Sequence, residues 1–176
     1  MKKILFSVLV ILSIVSANAT EIATLKLDEI IKNSASMKKA EDEIKSKKES
    51  IEKDLKKQEK KLSDEKDELE GQVKVLDQSV AQEKIQKFQE KIQKFQAEVK
   101  DNETMLQNAY IDVVNQITNN VKSVIAEIKK EGKYKFDVVL PNALVVYADS
   151  SLDISGDVIT KLNKGYKTVK VTFKKK

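Results

Sequence analysis

The sequence predicts an α+β fold in which a small β-strand body is interrupted by a long antiparallel helical hairpin. Short alternating apolar segments lie near both ends of the chain, and a highly charged middle section repeats its apolar residues at helical spacing. A stretch of weaker helical character divides that middle section in two. We assign residues 20–36 and 129–176 to the body and residues 37–128 to the hairpin, with the reversal near residues 71–79.

Residues 1–19 have the pattern of an export signal. Lys2 and Lys3 precede a mostly apolar run from Ile4 to Val15, and Ala17-Asn18-Ala19 supplies a small-x-small cleavage site. The run is shorter than the roughly 20 apolar residues that span a bilayer, so we expect cleavage rather than anchoring. The mature chain, Thr20–Lys176, is then expected to be exported from the cytoplasm.

The first arm of the hairpin is a charged helix with one narrow apolar stripe. Between residues 37 and 76 the chain carries twelve Lys and twelve acidic residues. Its apolar residues recur every seven positions, at Leu55, Leu62 and Leu69. A single stripe at this spacing is typical of a helix that packs against one other helix and is otherwise solvated.

The second arm repeats the sequence KIQKFQ within residues 84–96. Ile85, Phe88, Ile92 and Phe95 form its apolar seam, which continues through Tyr110 and widens toward Ile128. The widening predicts that this end of the helix is buried by more than one partner helix.

The reversal between the arms is placed at GQVKVLDQS, residues 71–79. Gly71 weakens a helix, and Asp77 or Ser79 is a suitable cap for a new one. The alternative, one unbroken helix of nearly a hundred residues, fits less well because the seam loses its register across this stretch.

The body is predicted from short segments at both ends of the chain. Residues 21–27 and 134–140 read as strands, 144–148 follows at hairpin distance as a third, and 167–173 alternates as a fourth. Ser155 is expected to cap a short helix that Gly165 ends. So small a body rarely stabilises itself with one core, and we therefore expect an obligate oligomer.

Composition excludes most chemistry. All 33 Lys+Arg residues are Lys, and His and Cys are absent, which removes an imidazole base, a thiolate and the usual zinc ligands. Asp149 and Asp153, near two serines, read as turn and cap residues. We expect no catalytic residue, metal or cofactor.

The charge distribution argues against nucleic acid as a partner. Residues 20–160 hold 24 Lys and 28 acidic residues, a net charge of −4, whereas the last sixteen residues hold seven Lys and no acid. Phosphate neutralisation along the arms and forked recognition by Arg are both missing. Two classes remain: a chaperone whose arms surround a client, and a structural coiled-coil adaptor that docks on a cell-envelope complex. A docking hairpin needs a specific tip motif, and the plain tip favours the chaperone.

Three segments, in order, resemble the Skp/OmpH family of periplasmic chaperones: IATLKLDEII near the amino end, residues 121–140, and VVYADSSLDISGDVITKLN at residues 145–163. The resemblance implies a homotrimer whose bodies join through β-strands, with helical tentacles around a cavity that holds unfolded outer-membrane proteins without ATP. It implies that residues 37–128 line the cavity and that the trimer body includes Ala23, Leu25, Leu27, Val138, Leu140, Val145 and Tyr147.

The chain departs from the family pattern in two respects. Its arms are not basic, and its lysine-rich end continues past the usual end of the family. We expect that end to form an added edge strand; the alternative is a weak contact with anionic lipid or lipopolysaccharide.

Overall fold

The computed structural model describes residues 20–174; the predicted export signal, residues 1–19, lies outside the described residues. The elements in chain order are β1 (Ile22–Leu25), α1 (Leu27–Asn33), α2 (Ala35–Gln72), α3 (Gln78–Glu131), β2 (Val138–Pro141) and α4 (Ser155–Gly165). Single 3-10 turns at Asn142–Leu144 and Ser150–Leu152 join β2 to α4. The predicted α+β fold with a long helical hairpin is confirmed.

The hairpin is formed by α2 and α3. With 38 and 54 residues, they extend over about 57 Å and about 81 Å at 1.5 Å per residue. The chain reverses between Gln72 and Gln78, so the alternative of one unbroken helix is wrong. Asp77 occupies the N-cap of α3 in an extended conformation, and Gly71 lies inside α2 rather than in the turn.

The two ends of the chain meet in a small sheet beside the roots of the arms. In the described residues, β1 pairs with β2 in parallel, with Ile22 opposite Val138 and Leu25 opposite Pro141. On the other edge of β1, the Ile154 N–H donates to the Thr24 carbonyl at 3.1 Å. The residue that opens α4 is therefore anchored to the first strand.

The core lies where the second half of α3 meets α4, α1 and the sheet. Its α3 side chains recur at steps of three and four, which places them on one helix face. Met37 and Ala40, at the start of α2, belong to the same core, so the roots of both arms are part of the body. The buried members are Ala23, Leu25, Ile30, Met37, Ala40, Val113, Ile117, Val121, Val124, Ile128, Phe136, Ile154, Val158 and Leu162.

The start of the long arm is fixed by hydrogen bonds from two directions. The buried Ser34 hydroxyl caps α2 by accepting from the Met37 N–H at 3.1 Å, and donates to the Ile31 carbonyl at 2.8 Å. From α4, the Asn163 side chain accepts from the Ala35 N–H at 2.8 Å. Because the first amides of a helix have no partner within it, these two side chains orient α2 relative to the body.

The predicted third strand, residues 144–148, is not formed. After Pro141 the chain makes a 3-10 turn instead of a hairpin, and no strand of the described chain lies beside this segment. A strand needs a partner for its backbone groups. Among residues 20–174 of one copy, this segment has no strand partner.

Two smaller expectations are also wrong. Leu27 begins α1 rather than ending β1, although its half-buried side chain still packs against the core. The N-cap of α4 is Ile154, not Ser155. Ser155 instead accepts a hydrogen bond from the Lys26 N–H at 2.8 Å.

Residues 166–174, which we call the tail, are not the predicted added edge strand. The tail pairs with no strand in the described part of the chain. It runs along the arms, with Val169 and Val171 packed against the core. The bonds that hold it come from helix side chains.

Candidate functional site

The seam between the arms is thin. Each helix contributes one line of half-buried side chains. Ile85, which is also predicted to lie in the seam, is 40% exposed. A line of partly buried residues stabilises a helix pair weakly, because hydrophobic stabilisation follows the area removed from water. The half-buried members are Leu55, Leu62, Leu69, Phe88, Ile92 and Phe95.

Polar contacts across the arms are exposed. An ion pair joins Lys91 to Glu65, and nearer the turn the Lys84 ammonium donates to the Gln72 side chain at 2.8 Å. Exposed pairs of this kind each contribute little, about 0–1 kcal/mol. The outer half of the hairpin is therefore the least stable part of the helical structure.

A few apolar side chains project into solvent from α3 and from the turn between the arms. Val75, in the turn, is 85% exposed. Along α3, Val80 is 41% exposed, and the neighbours Tyr110 and Ile111 are 47% and 46% exposed. They are spaced along a surface that is otherwise polar, so the hairpin offers several small apolar contacts at separate places.

Tyr110, which is predicted to lie in the seam, is exposed, and other residues occupy the seam beyond Phe95. Asn102, Met105 and Ala109 are buried. Asn102 and Ala109 follow Phe95 at steps of seven, so a strict heptad count would have found them. A seam predicted only from large apolar residues leaves out Asn102 and Ala109, because one is polar and the other is small.

The predicted body residues fall into two groups. Ala23 and Leu25 are each 4% exposed and lie inside the core of a single copy of the chain, with Leu27 packed beside them. Val138 is 40% and Tyr147 84% exposed, whereas Leu140 and Val145 are half-buried.

The segment around Tyr147 exposes large apolar side chains. Leu144 is 77% exposed and Val146 fully exposed, so three of four consecutive residues present apolar surface to solvent. The same residues were predicted to form a strand. An apolar segment with strand propensity and no partner in its own chain is typical of a surface that another chain covers.

A polar cluster joins α4 to the segment that follows α3. Asp157 accepts hydrogen bonds from the Lys133 ammonium and from the Tyr134 hydroxyl, the latter at 2.9 Å. These hydrogen bonds hold the pKa of Asp157 below its usual value, and the bond from Lys133 has the larger effect. The bond to Asp157 in turn raises the pKa of Lys133. Lying in the first turn of α4, Asp157 also has a favourable position on the helix dipole.

Asp149 and Asp153 are turn residues. The Asp149 carboxylate accepts from the Ser151 N–H at 2.8 Å, and the Ser151 bonds lower its pKa. The Asp153 carboxylate accepts from the Ser155 N–H at 2.9 Å. Both carboxylates are engaged by local backbone amides.

The tail is held by helix side chains. The Gln116 amide donates to the Lys170 carbonyl at 2.8 Å and accepts from the Lys170 N–H at 3.0 Å. Near the start of the tail, the Tyr166 hydroxyl donates to Glu127 at 3.3 Å. Near its end, the Lys47 ammonium lies 6.0 Å from the centre of the Phe173 ring. The tail therefore runs outward from the body and contacts both arms.

Other kinds of site find no support among residues 20–174. No cluster of three or more acidic side chains is arranged to hold a metal ion there. Within the same residues no helix combines the length and apolar character needed to cross a bilayer.

Comparison with known proteins identifies a family and a solved structure of similar fold. The profile of the family "Outer membrane protein (OmpH-like)" matches residues 21–162. A crystal structure from Caulobacter crescentus CB15, described as a candidate outer membrane chaperone (OmpH-like), superposes with a TM-score of 0.74. The alignment covers 90% of this chain and 91% of that one at 16% identity, a likeness in fold. No curated protein matches in sequence.

Proposed function

Because the chain belongs to the OmpH-like family, we propose that it is a periplasmic holdase chaperone that binds unfolded outer-membrane proteins between its arms without ATP. One observation carries the proposal. Exposed apolar side chains are spaced along α3, one of two long and thinly joined helices, at Val80 and at the adjacent pair Tyr110 and Ile111. Such arms suit an extended client better than a folded partner with one fixed surface.

Weak, dispersed contacts are what this role requires. A strand of an outer-membrane barrel alternates apolar and polar residues and aggregates when it is free in water. Many poor sites that act together hold such a chain tightly, and none of them imposes a structure on it. The thin seam further lets the arms separate for clients of different size.

A cavity requires several copies of the hairpin, and we propose a homotrimer joined through the body. The exposed segment at Leu144, Val146 and Tyr147 supports association, because its apolar side chains are uncovered within one copy. The trimeric number comes from the resemblance to the family.

The test is an aggregation assay with a urea-unfolded outer-membrane barrel protein. Dilution into buffer containing residues 20–176 of this protein, without nucleotide, should suppress light scattering. An adaptor that recognises one envelope complex would leave the scattering unchanged, and that result would overturn the proposal.

Variants can connect the activity to the arms. Replacing Tyr110 and Ile111 together by serine should raise the concentration needed for half-maximal suppression several-fold, because two apolar contacts are removed from each hairpin. The matched control replaces Gln96 and Gln107, both exposed polar residues of α3, by serine and should behave as wild type. Equal loss in the two double variants would show that the apolar contacts do not bind the client.

A further inference from the structure

The tail occupies a groove on the arms as an extended peptide. The groove is formed by Gln116, Asn119 and Asn120 of α3, by Lys47 of α2 and by the neighbouring core; we call it the tail groove. Both bonds from Gln116 go to the backbone of Lys170, so they do not depend on which side chain residue 170 carries. Recognition of backbone in this way is independent of sequence.

The apolar side chains of the tail recur at every second position. Val169, Val171 and Phe173 are half-buried, Thr168 and Lys170 are exposed, and Thr172 is half-buried. This is the pattern of a strand with one apolar face, which is also the pattern of a barrel strand. The groove therefore accepts a segment of the same chemistry as the proposed clients.

We propose that the tail groove is a binding site for extended, alternating segments of unfolded polypeptide, and that the tail is its resident occupant. The inference rests on the proposed chaperone function and names the ligand class for one surface of it. The family match ends at residue 162, so the tail lies beyond the matched region.

Tethering decides when a client enters the groove. A segment attached by a short link has an effective concentration of about 1 mM, so dilute peptide does not displace it. A client that the arms already hold is also confined near the groove and reaches a comparable local concentration. The tail thus keeps an apolar surface covered until a held chain replaces it.

The first experiment supplies the tail in trans. A fluorescent peptide with the sequence of residues 166–176 is titrated against a chain truncated after Gly165 and against the full mature chain, and its anisotropy is measured. The truncated chain should bind at least about tenfold more tightly, because it lacks the tethered competitor. A peptide of the same composition with its apolar residues grouped together should bind weakly to both.

The same assay tests the role of Gln116. In the truncated chain, Gln116→Ala should weaken peptide binding several-fold, because both backbone bonds are lost. The control is Gln107→Ala, which changes an exposed glutamine of the same helix. Equal binding by the two variants would overturn the assignment of the groove.

A full-length pair guards against misfolding of the truncated chain. Lys170→Pro removes the N–H that donates to Gln116 and tolerates an extended backbone, whereas Lys170→Ala keeps the N–H. The proline variant should bind the peptide several-fold more tightly than the alanine variant. If neither the truncated chain nor the proline variant binds the peptide while circular dichroism shows both helical, the proposal is wrong.

A last experiment tests whether clients use the tail groove. An unfolded barrel protein added to the truncated chain should displace the labelled peptide. Displacement supports the proposal, and a peptide that stays bound overturns it even if aggregation is suppressed. Displacement without suppressed aggregation would overturn the proposed holdase activity and leave the groove assigned.

Discussion

Replacing Val146 by alanine tests whether copies of the chain associate through the body. Val146 is fully exposed in a single copy, so the substitution should not change the stability of an isolated chain. If another copy buries the side chain, the loss of two methyl groups costs about 1.6 kcal/mol per subunit at about 0.8 kcal/mol per group. Over a trimer this is about 5 kcal/mol, which raises the dissociation constant by between three and four orders of magnitude at roughly 1.4 kcal/mol per tenfold.

Sedimentation equilibrium over a range of protein concentrations measures the effect. The matched control is Val75→Ala, the same change at a valine that is 85% exposed in the turn between the arms. The control should associate as wild type does. Unchanged association of Val146→Ala, or a wild-type protein that is monomeric throughout, would refute the assignment of this segment to the contact.

Three further predictions concern the single chain. Ile117→Ala, at a fully buried core position, should lower the free energy of unfolding by about 2–5 kcal/mol, whereas Leu62→Ala, in the half-buried seam, should lower it by about 1–2 kcal/mol. Urea titration at fixed protein concentration compares the two variants, and equal losses would contradict a core confined to the arm roots. The lysine and tyrosine donors lower the folded-state pKa of Asp157, so the stability from this group is present above its unfolded pKa and lost as pH falls through the folded value. Asp157→Asn should therefore flatten the acid side of the stability profile below about pH 4, measured by circular dichroism from pH 2 to 7, whereas an unchanged profile would show that the cluster does not couple to folding. Gly132 has a φ of 72°, so Gly132→Ala should destabilise the chain by about 1–2 kcal/mol. Gly71→Ala, inside α2 with open space around it, should stabilise the chain by up to about 1 kcal/mol. Melting temperatures that shift in the same direction in both variants would contradict the assignment of a left-handed backbone to Gly132 alone.

The helical hairpin could be predicted because its determinants are local. Heptad spacing and charge pairing act within one helix, and the sequence shows both directly. The details that failed depend on the facing helix. Tyr110 is larger and more apolar than Ala109, yet Ala109 is the buried residue, because the partner arm approaches along the line that Phe95 and Asn102 share.

Strand pairing could be predicted less well because a strand is defined by its neighbour. Residues 144–148 are continuously apolar and residues 167–173 alternate, and neither segment pairs with a strand within the described chain. Strand propensity measures how well a segment fits a pleated, half-buried surface, and it does not say which surface. For the tail that surface is a pair of helices, and the pairing groups belong to one glutamine side chain.

The bonding of Gln116 to Lys170 had no signal in the sequence. The residues are 54 positions apart, and a glutamine on a charged helix is ordinarily solvated. Only the course of the chain after α4 brings them together.

The parallel pairing of β1 with β2 determines the order in which parts of the chain can fold during synthesis. A ribosome makes Ile22 first, and its partner Val138 follows 116 positions later, after the whole hairpin. Until then the newborn strand has no neighbour, and closure over so long a separation is slow. During that interval the proposed chaperone is itself incompletely folded. The unpaired edge of β1 can then associate with other chains until β2 is made.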